Sequence, residues 1–201
     1  MPVLLTISAA VEGDVDEAVV RKLIQRAGAE PGTVYGKNGK AALKARINGY
    51  NNAARHAPWL LLVDLDRDAD CAPPLRREWL PNPAPRLCFR IAVRQVEAWL
   101  MADANALADH LGVAPSAIAG APEVLENPKA EMVNLARRSR RKDVRTDMVP
   151  REGSARAVGP AYTSRLIEYV ETRWRAQVAA GRSDSLRRAM ACLERLVADA
   201  S

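Results

Sequence analysis

Between residues 3 and 112 the apolar positions alternate between short unbroken runs and runs spaced three or four residues apart. "VLLTISAAV" (3 to 11) is apolar and β-branched and stops at Glu12-Gly13, which predicts a strand and a turn. "DVDEAVVRKLIQRAG" then puts Val15, Val19, Leu23 and Ala27 on one helical face. Asp14 with Glu17 reads as a capping box for this helix, and Gly28 as its C-cap. "GTVYG" is a short strand, residues 40 to 55 a second helix, and "WLLLVDL" (59 to 65) a strand apolar on both faces, the mark of a parallel sheet interior. A connection rich in proline (Pro73, Pro74, Pro81, Pro83, Pro85) leads to a strand "RLCFRIAV" (86 to 93), and "RQVEAWLMADANALADHLG" then turns helical, with Asp103 able to cap the helix that follows it.

The second half shows no strand pattern. Asn127 and Pro128 mark a helix start in "NPKAEMVNLARRSRRK". Residues 143 to 160 lack a period and read as a loop. Tyr162, Leu166, Val170, Trp174 and Val178 are four apart, a stripe suited to a core. Leu186, Met190, Leu193 and Val197 follow after Gly181 and Ser183, so the two segments predict an antiparallel helical hairpin. The fold expected is α/β: a mainly parallel, Rossmann-like sheet flanked by helices over residues 1 to 105, with a helical appendage over 106 to 201 packed on it.

Composition narrows the classes. Hydrophobic residues make up 48% of 201, enough for a packed interior. No apolar run has the length a membrane span needs, and "MPVLLTISAAVEGD" lacks the charged n-region of a signal peptide, so a cytoplasmic protein is expected. Cys71, Cys88 and Cys192 are widely spaced with no CxxC and read as reduced core residues. The net charge is +6, and "RRSRRKDVR" (137 to 145) carries Arg137, Arg138, Arg140, Arg141, Lys142 and Arg145 against one acid. Such a run suits a polyanion, because cations that neutralise phosphates release counterions, and it equally suits a solvated helix face.

The acids are less evenly placed than the bases. Eight of the first half's twelve lie in residues 12 to 17 and 64 to 70, which alternating strands and helices would bring together at the carboxyl edge of a parallel sheet. Like charges that close must be paired, protonated or bridged by a cation, and oxygen-only ligands favour Mg²⁺ or Mn²⁺. Several motifs are excluded. An EF-hand would need Gly and Glu where Ala69 and Leu75 stand. "GKNGK" (36 to 40) has no glycine five residues before either Gly-Lys pair, and Ala41 replaces the hydroxyl of a P-loop, although Lys37 and Lys40 can still meet a phosphate at a helix start. A haloacid-dehalogenase-type phosphatase would place its DxD after the first strand. GxSxG is absent, and the two histidines, His56 and His110, argue against histidine-metal chemistry.

"VEGDVDEAVVRKLI", followed about fifty residues later by "LLLVDLDRD", resembles the paired motifs of TOPRIM domains: Glu-Gly after the first strand and DxD after the third. "FRIAVRQVEAWLMAD" is similar to a segment of a TOPRIM-like family of uncharacterised prokaryotic proteins, related to the OLD and RloB-type nucleases often encoded beside ATPases in defence loci. The resemblance covers residues 3 to about 104, and more weakly "ENPKAEM" and "SDSLRRAMACLERL". It implies a Mg²⁺- or Mn²⁺-dependent nuclease of phage defence acting on DNA or RNA. Glu12, Asp64 and Asp66 would be metal ligands and catalytic residues, and Glu97 would complete the site. Lys37, Lys40, Arg137, Arg138, Arg140, Arg141 and Lys142 are the expected nucleic-acid contacts. The family's catalytic lysine has no secure counterpart, Lys37, Lys40 and Lys129 all being open. The alternative is a metal-binding, nucleic-acid-binding subunit that is inactive without an ATPase partner. A homo-oligomer is left open.

Overall fold

The computed structural model describes residues 4 to 200; Val3, where the first expected strand begins, lies outside them. The chain divides into two compact units. One comprises the residues up to Val93 together with those from Ser185 onward, and the other Arg94 to Asp184. The boundary thus falls before residue 105, and the last helix belongs with the sheet rather than with the helical unit.

The first unit is a Rossmann-like α/β layer structure. Four parallel strands, β1 (Thr6–Val11), β2 (Glu30–Gly36), β3 (Trp59–Asp64) and β4 (Leu87–Ala92), lie in the order β2-β1-β3-β4. The helices α1 (Asp14–Arg26), α2 (Lys40–Ala53), α3 (Ala72–Trp79) and α10 (Asp184–Ala198) complete it. β3 is central and buried along almost its whole length, as its unbroken apolar run requires. Leu61 and Val63 of β3, with Phe89 and Ile91 of β4, pack against Leu43, Ile47 and Tyr50 of α2 and Leu75 and Trp79 of α3.

Two local expectations are corrected. Gly13, not Asp14, is the N-cap of α1 and makes no side-chain cap; Glu17 instead pairs with Arg21 and Lys37. The proline-rich connection contains α3. Pro73 and Pro74 sit in its first turn, where a missing N–H leaves no helical bond unmade, and Leu75 and Trp79, four apart, bury one face.

The cysteines divide by environment. Cys71 is exposed, contrary to the core position expected for it, Cys88 is buried and Cys192 half-buried. On the sheet's edge strand β4, burial raises the Cys88 thiol well above its usual range. That thiol donates to the Cys192 sulfur on α10, which it lowers, with Arg90 adding to the effect.

The second unit is helical: α4 (Val96–Ala102), α5 (Ala104–Leu111), α6 (Pro128–Arg137), α7 (Lys142–Met148), α8 (Tyr162–Thr172) and α9 (Ala176–Ala179). Asn127 caps α6 as expected, its Oδ1 accepting the Ala130 N–H at 3.0 Å. The helical stretch from residue 94 forms two helices, with Asp103 at the N-cap position of α5, as expected. Its side chain makes no cap bond: this fully buried carboxylate accepts from the Arg175 guanidinium at 2.9 and 2.7 Å and from its backbone N–H at 3.0 Å. The stripe from Tyr162 to Trp174 is buried, with Trp174 Nε1 donating to the Trp99 carbonyl at 3.2 Å, whereas Val178 is exposed. The segment expected as a loop contains α7. The expected hairpin does not form one packed pair within a unit, because α8 and α10 fall in different units. Among the described residues no helix is long and apolar enough to cross a membrane.

Candidate acidic site at the carboxyl edge of the sheet

In the order β2-β1-β3-β4 the chain leaves β1 toward one side and later crosses to the other, so the switch point lies between β1 and β3, and ligands of open α/β sheets gather outside the carboxyl ends there. Glu12 is the residue after β1, and Asp64 is the last of β3. Their meeting is direct: Glu12 Oε1 accepts the Asp64 backbone N–H at 2.8 Å, across 52 residues of sequence. Burial pushes the Glu12 carboxyl above the usual range. The Asp64 N–H and the charge of Lys40 pull it back, while Asp66 and Asp68 add to the rise.

The loop from Gly36 to Lys40 folds over the end of β1. Lys37 N–H donates to the Val11 carbonyl at 2.9 Å and Gly39 N–H to that of Glu12 at 3.0 Å. Gly36 has φ +91°, and a Cβ there would stand 2.2 Å from the Val11 carbonyl oxygen, so only glycine fits. Lys37 itself has φ 64° and pairs with Glu17 at 2.7 Å. Burial raises the Glu17 carboxyl, but hydrogen bonds from Lys37 and Arg21 outweigh it and hold the group below its ordinary value.

Lys40 reaches the acids that follow β3. Its Nζ lies 2.8 Å from Asp66 Oδ2 and 2.7 Å from Asp68 Oδ2. Burial alone would lower the ammonium; the two aspartates reverse this and raise it. Asp66 adopts φ 50°, left-handed backbone that is uncommon outside glycine, asparagine and aspartate. Asp68 takes part in the cluster through the same lysine. Asp16, in the first turn of α1, is buried.

These side chains do not form a finished metal cage: among the described residues no three or more His, Cys, Asp or Glu groups converge to hold an ion. Glu12 is turned onto the Asp64 backbone, and Asp66 and Asp68 are held by lysine. In donor chemistry they nonetheless fit a hard cation, being all carboxylate oxygens, and a positive charge, the Lys40 ammonium, already stands among them. The signal for Lys40 was present in "GKNGK", but its partners lie 26 and 28 residues away in a separate loop.

The other expected site residues lie in the second unit. Glu97, in the first turn of α4, is buried; its Oε1 accepts the Tyr162 hydroxyl at 3.1 Å and lies 3.6 Å from Lys129 Nζ. Gln95 Oε1 accepts the Lys129 backbone N–H at 3.1 Å, tying the start of α6 to the start of α4. These contacts give Glu97 and Lys129 a role within the helical unit. Of the basic run, Arg137, Arg138, Arg140, Arg141 and Lys142 are exposed. Arg137 reaches Asn134, and Arg141 pairs with Asp143 at 2.8 Å and donates to the His110 carbonyl at 3.1 Å. No family model matches the chain, and neither the curated proteins nor the solved structures yield a match to it.

Proposed function

We propose that the protein is a TOPRIM-like, Mg²⁺- or Mn²⁺-dependent nuclease that hydrolyses phosphodiester bonds of DNA or RNA. The observation that carries this reading is the hydrogen bond between Glu12 and the Asp64 backbone, which joins the two motif segments at the switch point of the sheet. Glu12, Asp64 and Asp66 would hold the ion, and an ion there supplies a polarised phosphoryl oxygen and an acidified water. The protein's own part is positional. The Asp64 N–H fixes one Glu12 oxygen, and burial keeps that carboxylate poorly solvated and ready for a cation. The exposed arginines and lysine of residues 137 to 142 would hold a phosphate backbone without reading bases, so cleavage is expected to be nearly indifferent to sequence and steeply dependent on salt.

The test is incubation of the purified protein with plasmid, single-stranded DNA and RNA in Mg²⁺, in Mn²⁺ and in EDTA, beside Asp64→Asn. Metal-dependent cleavage that Asp64→Asn lowers at least about a hundredfold is the expected result. Equal cleavage by both proteins, or cleavage that survives EDTA, removes the site assignment.

A second reading is favoured by the lack of a converged three-acid group among the described residues: a metal- and nucleic-acid-binding subunit that gains activity only with an ATPase partner. It predicts binding of Mn²⁺ without turnover by the isolated chain, and turnover once an ATPase encoded nearby is added.

A further inference from the structure

Lys40 stands in an electrostatically awkward place. It is the first residue of α2, where the helix dipole disfavours a cation, and the first turn of that helix holds no acid to offset it. The ammonium is held instead by two carboxylates from the loop after β3, at 2.8 and 2.7 Å, one of them on a residue with left-handed backbone. Its charge is also felt by Glu12. One side chain thus offsets part of the negative charge of the cluster in which the proposed function places a divalent ion.

We infer that Lys40 is an exchangeable internal counter-ion, which occupies the carboxylate cluster in the absence of metal and competes with a divalent cation for Asp66. This rests on the metal-dependent reading above. An ion that takes Asp66 displaces the ammonium from that oxygen, so the affinity measured for metal is the intrinsic affinity lowered by the lysine's hold. The direction of the effect separates this role from a structural one. Losing a residue that merely supports the fold weakens metal binding, whereas losing a competitor strengthens it.

The experiment is calorimetric titration of Mn²⁺ and Mg²⁺ into the full chain without nucleic acid, for the parent, Lys40→Gln, Lys40→Arg and Asp64→Asn, with Mn²⁺ paramagnetic resonance as a second readout. Lys40→Gln is expected to bind roughly tenfold more tightly than the parent, the scale of removing one nearby like charge at a partly screened site, and Lys40→Arg to keep the parent's affinity. Should Lys40→Gln fail to fold, the parent answers alone: acylation of Lys40 by an amine-reactive reagent, read by mass spectrometry, should rise on adding Mn²⁺. Folded Lys40→Gln binding no more tightly than the parent, or Lys40 acylation unmoved by saturating metal, overturns the inference while Asp64-dependent binding leaves the nuclease reading standing. Metal binding that Asp64→Asn does not weaken overturns both.

Discussion

Glu12→Gln is expected to abolish metal-dependent cleavage, by at least about a hundredfold in kcat/KM, while leaving stability unchanged or slightly raised. The two halves of this expectation come from different atoms of one side chain. Oε1 accepts the Asp64 N–H, and the glutamine carbonyl oxygen can do the same, so the tie between the ends of β1 and β3 survives. The other position becomes an NH₂ group, which repels a cation. Stability follows from the raised carboxyl. Burial disfavours its charged form, so the folded state is favoured most where the group is protonated, and that advantage fades as pH rises through the folded pKa. At neutral pH the charge is therefore a burden in the metal-free protein, which glutamine removes. Steady-state cleavage and urea unfolding of parent and variant, both without metal and with it, check the two halves. A variant that is metal-active refutes the ligand role, and one that is inactive because it is unfolded refutes the tie.

Gly36→Ala is expected to cost about 2 to 4 kcal/mol, well beyond an ordinary surface substitution. Its Cβ would meet the Val11 carbonyl oxygen at 2.2 Å, a backbone atom that cannot swing aside, and φ +91° adds strain of its own. Relief requires parting the end of β2 from the end of β1, which breaks the Lys37 to Val11 hydrogen bond and moves Glu12 and Lys40 together. Gly28 supplies the contrast: its φ is +85°, but nothing lies within 4 Å of an added Cβ. Gly28→Ala should therefore cost only about 1 kcal/mol of backbone strain and leave the acidic cluster untouched. Equal losses in urea unfolding for the two variants would show that the close approach to Val11 carries no weight.

The sheet was legible because its signal is local and repeated. β3 declares itself in "WLLLVD", and its alternation with helices placed Glu12 and Asp64 at one edge before any contact was visible. What stayed hidden has physical causes. Prolines in "APPLRREW" mask α3, because their cost falls on a helix interior and not on its first turn. The buried Asp103 carboxylate finds its partner in Arg175, 72 residues away, which no periodicity encodes. The charge balance of the candidate site was illegible for the same reason. "GKNGK" announces lysines near a helix start, but that Lys40 would be claimed by Asp66 and Asp68 depends on two loops meeting in space. Glu97 was visible as an acid in a distinctive segment, while its partners Tyr162 and Lys129 come from helices whose packing the pattern leaves open.

The last helix, α10, belongs to the unit that the chain began, with residues 94 to 184 enclosed between the two pieces. During synthesis the four strands and every residue of the helical unit up to Arg182 are made before that helix. The nascent sheet must wait with one of its helices missing and the buried Cys88 side of β4 without Cys192. Order of starting and order of completion are therefore reversed: the inserted unit is complete in sequence before the sheet that carries the acids receives α10.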